Sequence, residues 1–152
     1  MISKKMPKQQ KTKISVIGGA GFLGSSLCKI LEEKKINYEI IDIKKSNRFP
    51  KKSKFGDIRS FRDLKKKITG NIIINLAAVH RDNVTDKQEY YDTNVLGALN
   101  IFRASTIKKN KIKKIIQISS SEVYGNDLLK NSNVLTENTI TVSESPYAAS
   151  KI

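Results

Sequence analysis

Three glycines, at 18, 21 and 24, constrain the fold of this chain more than anything else in its sequence. They follow the short apolar run Ile14-Ser15-Val16-Ile17 and open a segment where Phe22, Leu23, Leu27, Ile30 and Leu31 recur at helical spacing. A strand, a Gly-x-x-Gly-x-x-Gly turn and a helix, in that order, predict a phosphate-binding strand–turn–helix unit. The first glycine permits a sharp turn. The second lets a pyrophosphate approach the backbone with no Cβ in the way, and the third lets the helix pack closely on the strand. The free N–H groups at the helix start then face the anion.

The rest of the chain repeats the alternation. Tyr38 to Ile43 reads as a second strand, Phe55-Gly56-Asp57-Ile58 as a short third, Asn71 to Leu76 as a fourth and Lys113 to Ser119 as a fifth. Between them, Ser60 caps a helix carrying Phe61, Leu64 and Ile68, with Gly70 as its stop. A long helix is predicted from about Thr85 to Lys109, with Val95, Leu96, Leu99, Ile101 and Phe102 as its inner face. Residues 125–144 read as a polar loop, and Ser145-Pro146 as a new helix start. Continuously apolar strands alternating with helices imply an α/β, doubly wound parallel sheet of the Rossmann type, covered on both faces. Residues 1–13 read as a basic flexible tail and 14–152 as a partial dinucleotide-binding domain that stops after about five strands.

Composition excludes several classes. Apolar runs such as Ile72-Ile73-Ile74 are far too short for a membrane span, which needs about 20 residues, and the basic N-terminus lacks the apolar core of a secretory signal. The single cysteine, Cys28, forms no internal disulfide and reads as a core residue, which fits a cytoplasmic protein. The net charge of +15 is almost all lysine and sits at predicted loops and helix ends. Aromatic residues do not alternate with the basic ones, so no stacking platform for nucleic acid is expected; a general attraction for phosphorylated substrates is.

Asp42 ends the second strand about twenty residues after the glycines, where a carboxylate accepts both hydroxyls of an adenosine ribose. It would repel a 2′-phosphate, which favours NAD over NADP, although Lys44 and Lys45 beside it offset part of that repulsion. Near the end of the chain, Tyr147 and Lys151 are spaced i to i+4 on one helix face. A free phenol titrates near pH 10 and is a poor base at neutrality. An ammonium one turn away, together with the positive nicotinamide ring, stabilises the phenolate. Such a phenolate could take the proton of a sugar hydroxyl while the carbon bearing it gives up hydride.

These elements, in order, carry a family resemblance. The motifs are GGAGFLG at 18–24, Asp42, Asp57-Ile58, NLAA at 75–78, TNVLGALN at 93–100, SSSEVYG at 119–125 and YAASK at 147–151. The chain resembles the extended short-chain dehydrogenases/reductases, and among them the NAD-dependent epimerase/dehydratase group acting on nucleotide-linked sugars. The resemblance implies that Gly18, Gly21, Phe22, Leu23 and Gly24 hold the cofactor NAD. Asp57 and Ile58 would hold its adenine, Ala77 and Ala78 line the central cleft, and Asn94 faces the site from the long helix. Ser120 would bond the reacting hydroxyl, Tyr147 act as acid/base and Lys151 bind the nicotinamide ribose. Glu122 stands where members that work at C5 carry a carboxylate, with solvent exposure the alternative. His80 and Arg81, with Asp82, are expected near the pyrophosphate or substrate, and the lone histidine offers no metal set.

Family members run to about twice this length, which implies that the C-terminal, sugar-binding domain is absent and that a full-length protein would pair as a homodimer through helices. Alone, the chain is expected to be weakly stable, to bind NAD poorly and not to turn over. A non-catalytic NAD(P)-binding regulatory module is the alternative, against which the joint presence of Ser120, Tyr147 and Lys151 argues.

Overall fold

The computed structural model describes residues 12–81, 83–107, 111–125 and 134–152. Asp82, Lys108, Lys109, most of the N-terminal tail and the first part of the 125–144 loop therefore lie outside the described residues. Five parallel strands form one sheet: β1 (Ile14–Ile17), β2 (Tyr38–Asp42), β3 (Ser53–Phe55), β4 (Ile72–Asn75) and β5 (Lys114–Gln117). Their spatial order is β3-β2-β1-β4-β5. The chain moves outward from β1 in one direction, then crosses back to β4 on its other side. The crevice at this reversal is where open α/β sheets bind ligands.

Alternation along the strands gives each face its own core. Ile17, Ile41 and Ile73 point to one side with Leu64, Ile68, Ile101 and Ala104. Ile14, Val16, Tyr38 and Ile40 point to the other, where Cys28 and Leu31 of helix α1 (Phe22–Glu33) cover them. Helices α2 (Phe61–Lys67) and α4 (Gly97–Ser105) close the first face. Burial pushes the Cys28 thiol up to about 11, with Glu32 adding to the effect, so it sits as an inert core thiol.

Three expectations need correction. The third strand is Ser53–Phe55, and residues 56–60 instead form a turn leading into α2, whose N-cap Ser60 accepts from the Asp63 N–H at 3.3 Å. Lys13, read as tail, is tied down: its N–H donates to Asn71 Oδ1 at 3.0 Å and its Nζ to Glu39 at 2.8 Å. The long helix is not a uniform α-helix. It runs as α3 (Gln88–Tyr90), a π-helical segment (Tyr91–Leu96) and α4, and its inner face differs from the one predicted. Val95, Leu96, Leu99 and Phe102 are exposed, and only Ile101 of the five is buried. The sheet side is made by Tyr90, Asn94, Gly97, Asn100, Ile101 and Ala104. The approach is too close for large side chains: a Cβ on Gly97 would lie 2.8 Å from Ile58 Cγ1. In α1, likewise, Phe22, Leu23 and Ile30 are exposed while Gly24, Cys28 and Leu31 are buried.

One buried charge binds the lower part of the sheet together. Glu39 of β2 is 3% exposed and accepts from Ser15 Oγ (2.6 Å), Lys13 Nζ (2.8 Å), Lys54 Nζ (2.7 Å), Thr69 N (2.7 Å) and Thr69 Oγ1 (2.6 Å). It thus links β1, β2, β3 and the turn after α2. Burial by itself would raise its pKa, but the bonds from Lys13, Lys54, Ser15 and Thr69 outweigh that and bring it from 4.5 to about 2. Because the folded value is depressed, the stabilisation is present above the unfolded value and is lost as pH falls through the folded one. Unfolding by urea should therefore show stability falling by about 3 kcal/mol between neutral pH and the bottom of that window. Glu39→Gln should flatten this part of the profile and lower stability at pH 7; an unchanged acid limb in the variant would rule the account out.

Candidate active site

The upper ends of β1, β2 and β4 open into a cleft of about 660 Å³ that reaches from the glycine turn to the last turn of the chain. Gly18 ends β1 with φ +77°, a left-handed conformation, and a Cβ there would stand 2.5 Å from the Ala77 backbone nitrogen. A Cβ on Gly24 would collide with the Gly18 carbonyl and the Gly19 backbone, so the helix start can rest on the strand only without a side chain. Gly21 differs. Its Cβ would meet only Gly18 O, at the ordinary contact distance of 3.4 Å, so the space it leaves is open to the cleft. Gly21 is also the N-cap of α1 and has no side chain to cap it, which leaves the N–H groups of the first turn to an outside acceptor.

Asp42 lies across from this turn. Its Oδ2 accepts from Ala20 N and its Oδ1 from Lys44 N, each at 2.9 Å. The carboxylate is thus fixed against the glycine turn, and lone pairs remain on both oxygens for a diol. Asp57 and Ile58 also line the cleft. The Arg59 guanidinium grips Asp57 through contacts of 2.7 to 3.0 Å and holds its carboxyl below the usual range. Ala77 and Ala78 form the floor, and Asn75 shapes their turn by accepting from Ala77 N at 3.1 Å while donating to Gln117 at 2.8 Å.

The far end of the cleft carries Tyr147 and Lys151 together, with Ile118 and Ser119 beside them. Helix α5 (Pro146–Ala149) is a single turn, begun by Ser145, whose Oγ accepts from Ala148 N at 3.0 Å. So short a helix needs outside support. Lys151 Nζ donates to Ile118 O at 2.6 Å, and Ser119 Oγ donates to Lys151 O at 2.9 Å. Burial lowers the Lys151 pKa from its ordinary value. From the other side, Asn94 Nδ2 donates to Ser150 Oγ at 2.8 Å, and Ser150 Oγ donates to Tyr147 O at 2.7 Å.

Not every residue singled out from the sequence lines this cleft. The amide of Asn94 is committed, with Oδ1 accepting from Val79 N at 2.9 Å and Nδ2 donating to Val79 O at 3.0 Å, so it fastens the loop after β4 and stands behind the cleft wall. Ser120 begins a short 3₁₀ turn (Ser121–Tyr124), its Oγ accepting from Glu122 N at 3.3 Å. Glu122 is exposed, as its alternative reading expected, and borders a second cavity of about 180 Å³ together with Lys87, Tyr90, Ser145 and Tyr147. Tyr147 is the residue common to both cavities, and the smaller one is also bordered by the Glu122 carboxylate. His80 and Arg81 line the large cleft. Tyr90 belongs to no motif read from the sequence, although its spacing of four residues from Asn94 placed both on one helix face.

The sequence pattern of the NAD dependent epimerase/dehydratase family matches residues 14–152. Among curated relatives, the N-acetyl-alpha-D-glucosaminyl-diphospho-ditrans,octacis-undecaprenol 4-epimerase of Escherichia coli O157:H7 is 36% identical over 74% of this chain and 33% of its own length. The dTDP-D-glucose 4,6-dehydratase of Dictyostelium discoideum is 31% identical over 91% of this chain and 38% of its own. The crystal structure of the Thermus thermophilus UDP-glucose 4-epimerase in complex with NAD aligns with a TM-score of 0.78 at 25% identity, covering 92% of this chain and 47% of that one. The chain spans less than half the length of these relatives. With the glycine turn, the doubly wound sheet and the Tyr147–Lys151 turn all in their expected places, the chain belongs to the NAD-dependent epimerase/dehydratase family.

Proposed function

We propose that this chain provides the cofactor-binding and proton-transferring part of an NAD-dependent nucleotide-sugar epimerase or dehydratase. The observation that carries the reading is the continuity of one cleft from Gly21 to Tyr147 and Lys151. The residues fit the dinucleotide. Gly21 leaves room for a pyrophosphate at the uncapped start of α1, Asp42 is fixed to accept a ribose diol, and Ala77 and Ala78 leave the middle of the cleft unobstructed. NAD bound there supplies a hydride acceptor.

Tyr147 removes the proton of the sugar hydroxyl, and Lys151, anchored on the Ile118 carbonyl, supplies positive charge beside the phenol and binds the nicotinamide ribose. Ser120, whose Oγ accepts from Glu122 N and lies outside the lining of the cleft, would have to turn toward it to bond the same hydroxyl. Loss of that proton, with hydride leaving the same carbon, yields a 4-keto sugar and acidifies the neighbouring C5 proton. In this reading Glu122, exposed at the edge of the smaller cavity that Tyr147 also lines, takes that proton. That favours chemistry at C5, as in a dehydratase. A nucleotide-linked sugar is the substrate class that the named relatives support. The exposed row of Tyr91, Val95, Leu99 and Phe102 supports a homodimer built on this helix, and the unpaired, buried Cys28 supports a cytoplasmic setting.

Calorimetric titration should give weak, saturable binding of NAD that exceeds NADP binding about tenfold, and Asp42→Ala should remove the preference, a difference of about 1.4 kcal/mol. Equal binding of both by the unaltered chain would refute the assignment of Asp42.

The glycine turn makes a paired prediction. Gly24→Ala should lower the melting temperature by about 10 °C, because the added carbon meets backbone. Gly21→Ala should leave melting nearly unchanged and weaken NAD about tenfold. Nearly equal melting of the two variants would contradict the geometry.

The 152-residue chain by itself is expected to give no steady turnover. In a longer protein containing it, Tyr147→Phe should cut turnover by at least about 100-fold, and Glu122→Gln should suppress dehydration while sparing NAD binding. Full dehydration by Glu122→Gln would make that carboxylate structural.

A further inference from the structure

Tyr90 is 6% exposed and lies in neither of the two apolar clusters that hold the sheet. Its ring centroid is 6.1 Å from that of Tyr147, with the planes tilted by 51°. Its hydroxyl donates to the Arg81 carbonyl at 2.5 Å. Arg81 is exposed and lines the large cleft, while Tyr90 itself borders the small cavity beside Glu122 and Tyr147. A buried ring needed for packing alone would be served by phenylalanine. This one commits its hydroxyl to the main chain of a loop that faces the ligand space.

We propose that Tyr90 is a positioning residue: its ring keeps the Tyr147 phenol at the junction of the two cavities, and its hydroxyl couples that ring to the cleft-lining loop at Arg81.

The need for such a residue follows from the local structure. Tyr147 rides on a single helical turn whose hydrogen bonds, from Lys151, Ser119, Asn94 and Ser150, reach main chain or Ser150 and do not involve the Tyr147 ring. The same residue lines both cavities. A phenol free to swing into either cavity would lose alignment with a hydroxyl proton, and small displacements of a reacting group are costly in rate. The Tyr90 ring is the aromatic group that packs against that of Tyr147. The helix that carries Tyr90 is bonded to the Val79 loop through Asn94. A ligand that settles against the His80–Arg81 loop therefore presses on the Tyr90 hydroxyl and, through its ring, on the phenol.

The inference rests on the acid/base reading of Tyr147, and one experiment separates the two. The chain is prepared with ¹³C at tyrosine Cζ and uniform ¹⁵N, Tyr147→Phe assigns the Tyr147 signal, and NAD is added to millimolar concentration at mildly alkaline pH while the Gly18 and Ala77 amides report binding. In the unaltered chain the Tyr147 signal should move on saturation. Tyr90→Phe keeps the ring and removes the tie to Arg81, and should reduce that movement by at least half with the amide response retained. Tyr90→Leu should abolish it and broaden the Tyr147 signal. A Tyr90→Phe chain with the full movement overturns the positioning role, and because this variant preserves volume it decides the matter even where Tyr90→Leu does not fold. A Tyr147 signal that ignores NAD in the unaltered chain overturns the acid/base reading and this inference with it.

Discussion

The structure turns on a place where side chains are forbidden. At the upper end of β1 the backbone bends through a left-handed residue, passes against the loop after β4 and then meets the first turn of α1, all within the reach of a single carbon atom. Gly18 and Gly24 are the residues that make this three-way contact possible. The crevice between β1 and β4 exists because the chain reverses its direction of winding there, and its walls stand close because nothing protrudes. Backbone N–H groups exposed at such a point without competing side chains are what binding of an anion at a helix start requires.

The walls of the cleft are held from behind by polar residues of one helix. Asn100 donates to the Ile58 and Arg59 carbonyls at 3.3 and 3.0 Å, which steadies the turn bearing Asp57. Asn94 clasps the Val79 backbone and Ser150, and Tyr90 reaches Arg81 and Tyr147. Three loops that are distant in sequence are thereby referred to one rigid element. The π-helical segment, Tyr91–Leu96, lies between the first and last of these contacts. Its wider turn is a feature common at functional sites, where it re-aims side chains relative to a regular helix.

Much of this was legible in the sequence, for physical reasons that also explain what was not. The strands were visible because buried parallel strands are apolar without interruption, and the glycine turn because its spacing sits between a strand and a helix. The Tyr147–Lys151 turn was visible from a spacing that a helix converts into proximity. The network around Glu39 was not, since a charged residue in a strand looks like a solvent-facing position until lysine, serine and threonine partners from distant segments are placed around it. Nor was the inner face of the long helix. Periodicity assigns large apolar residues to the interior, whereas here the close approach of Ile58 selects Gly97 and the loop carbonyls select Asn94 and Asn100. Tyr90 carries no sequence signal because its contacts arise only where three segments converge.

That inverted helix has a consequence for how the protein tolerates change. Its large apolar residues, Val95, Leu99 and Phe102, can be exchanged for polar ones without opening any void in the sheet core, while the small and amide-bearing positions on the opposite face accept almost nothing. A substitution scan scored by hydrophobicity would rank these positions in reverse. Within one copy of the chain, the positions that look like surface are therefore the ones its own fold constrains, while those that look like core answer only to whatever packs on them from outside.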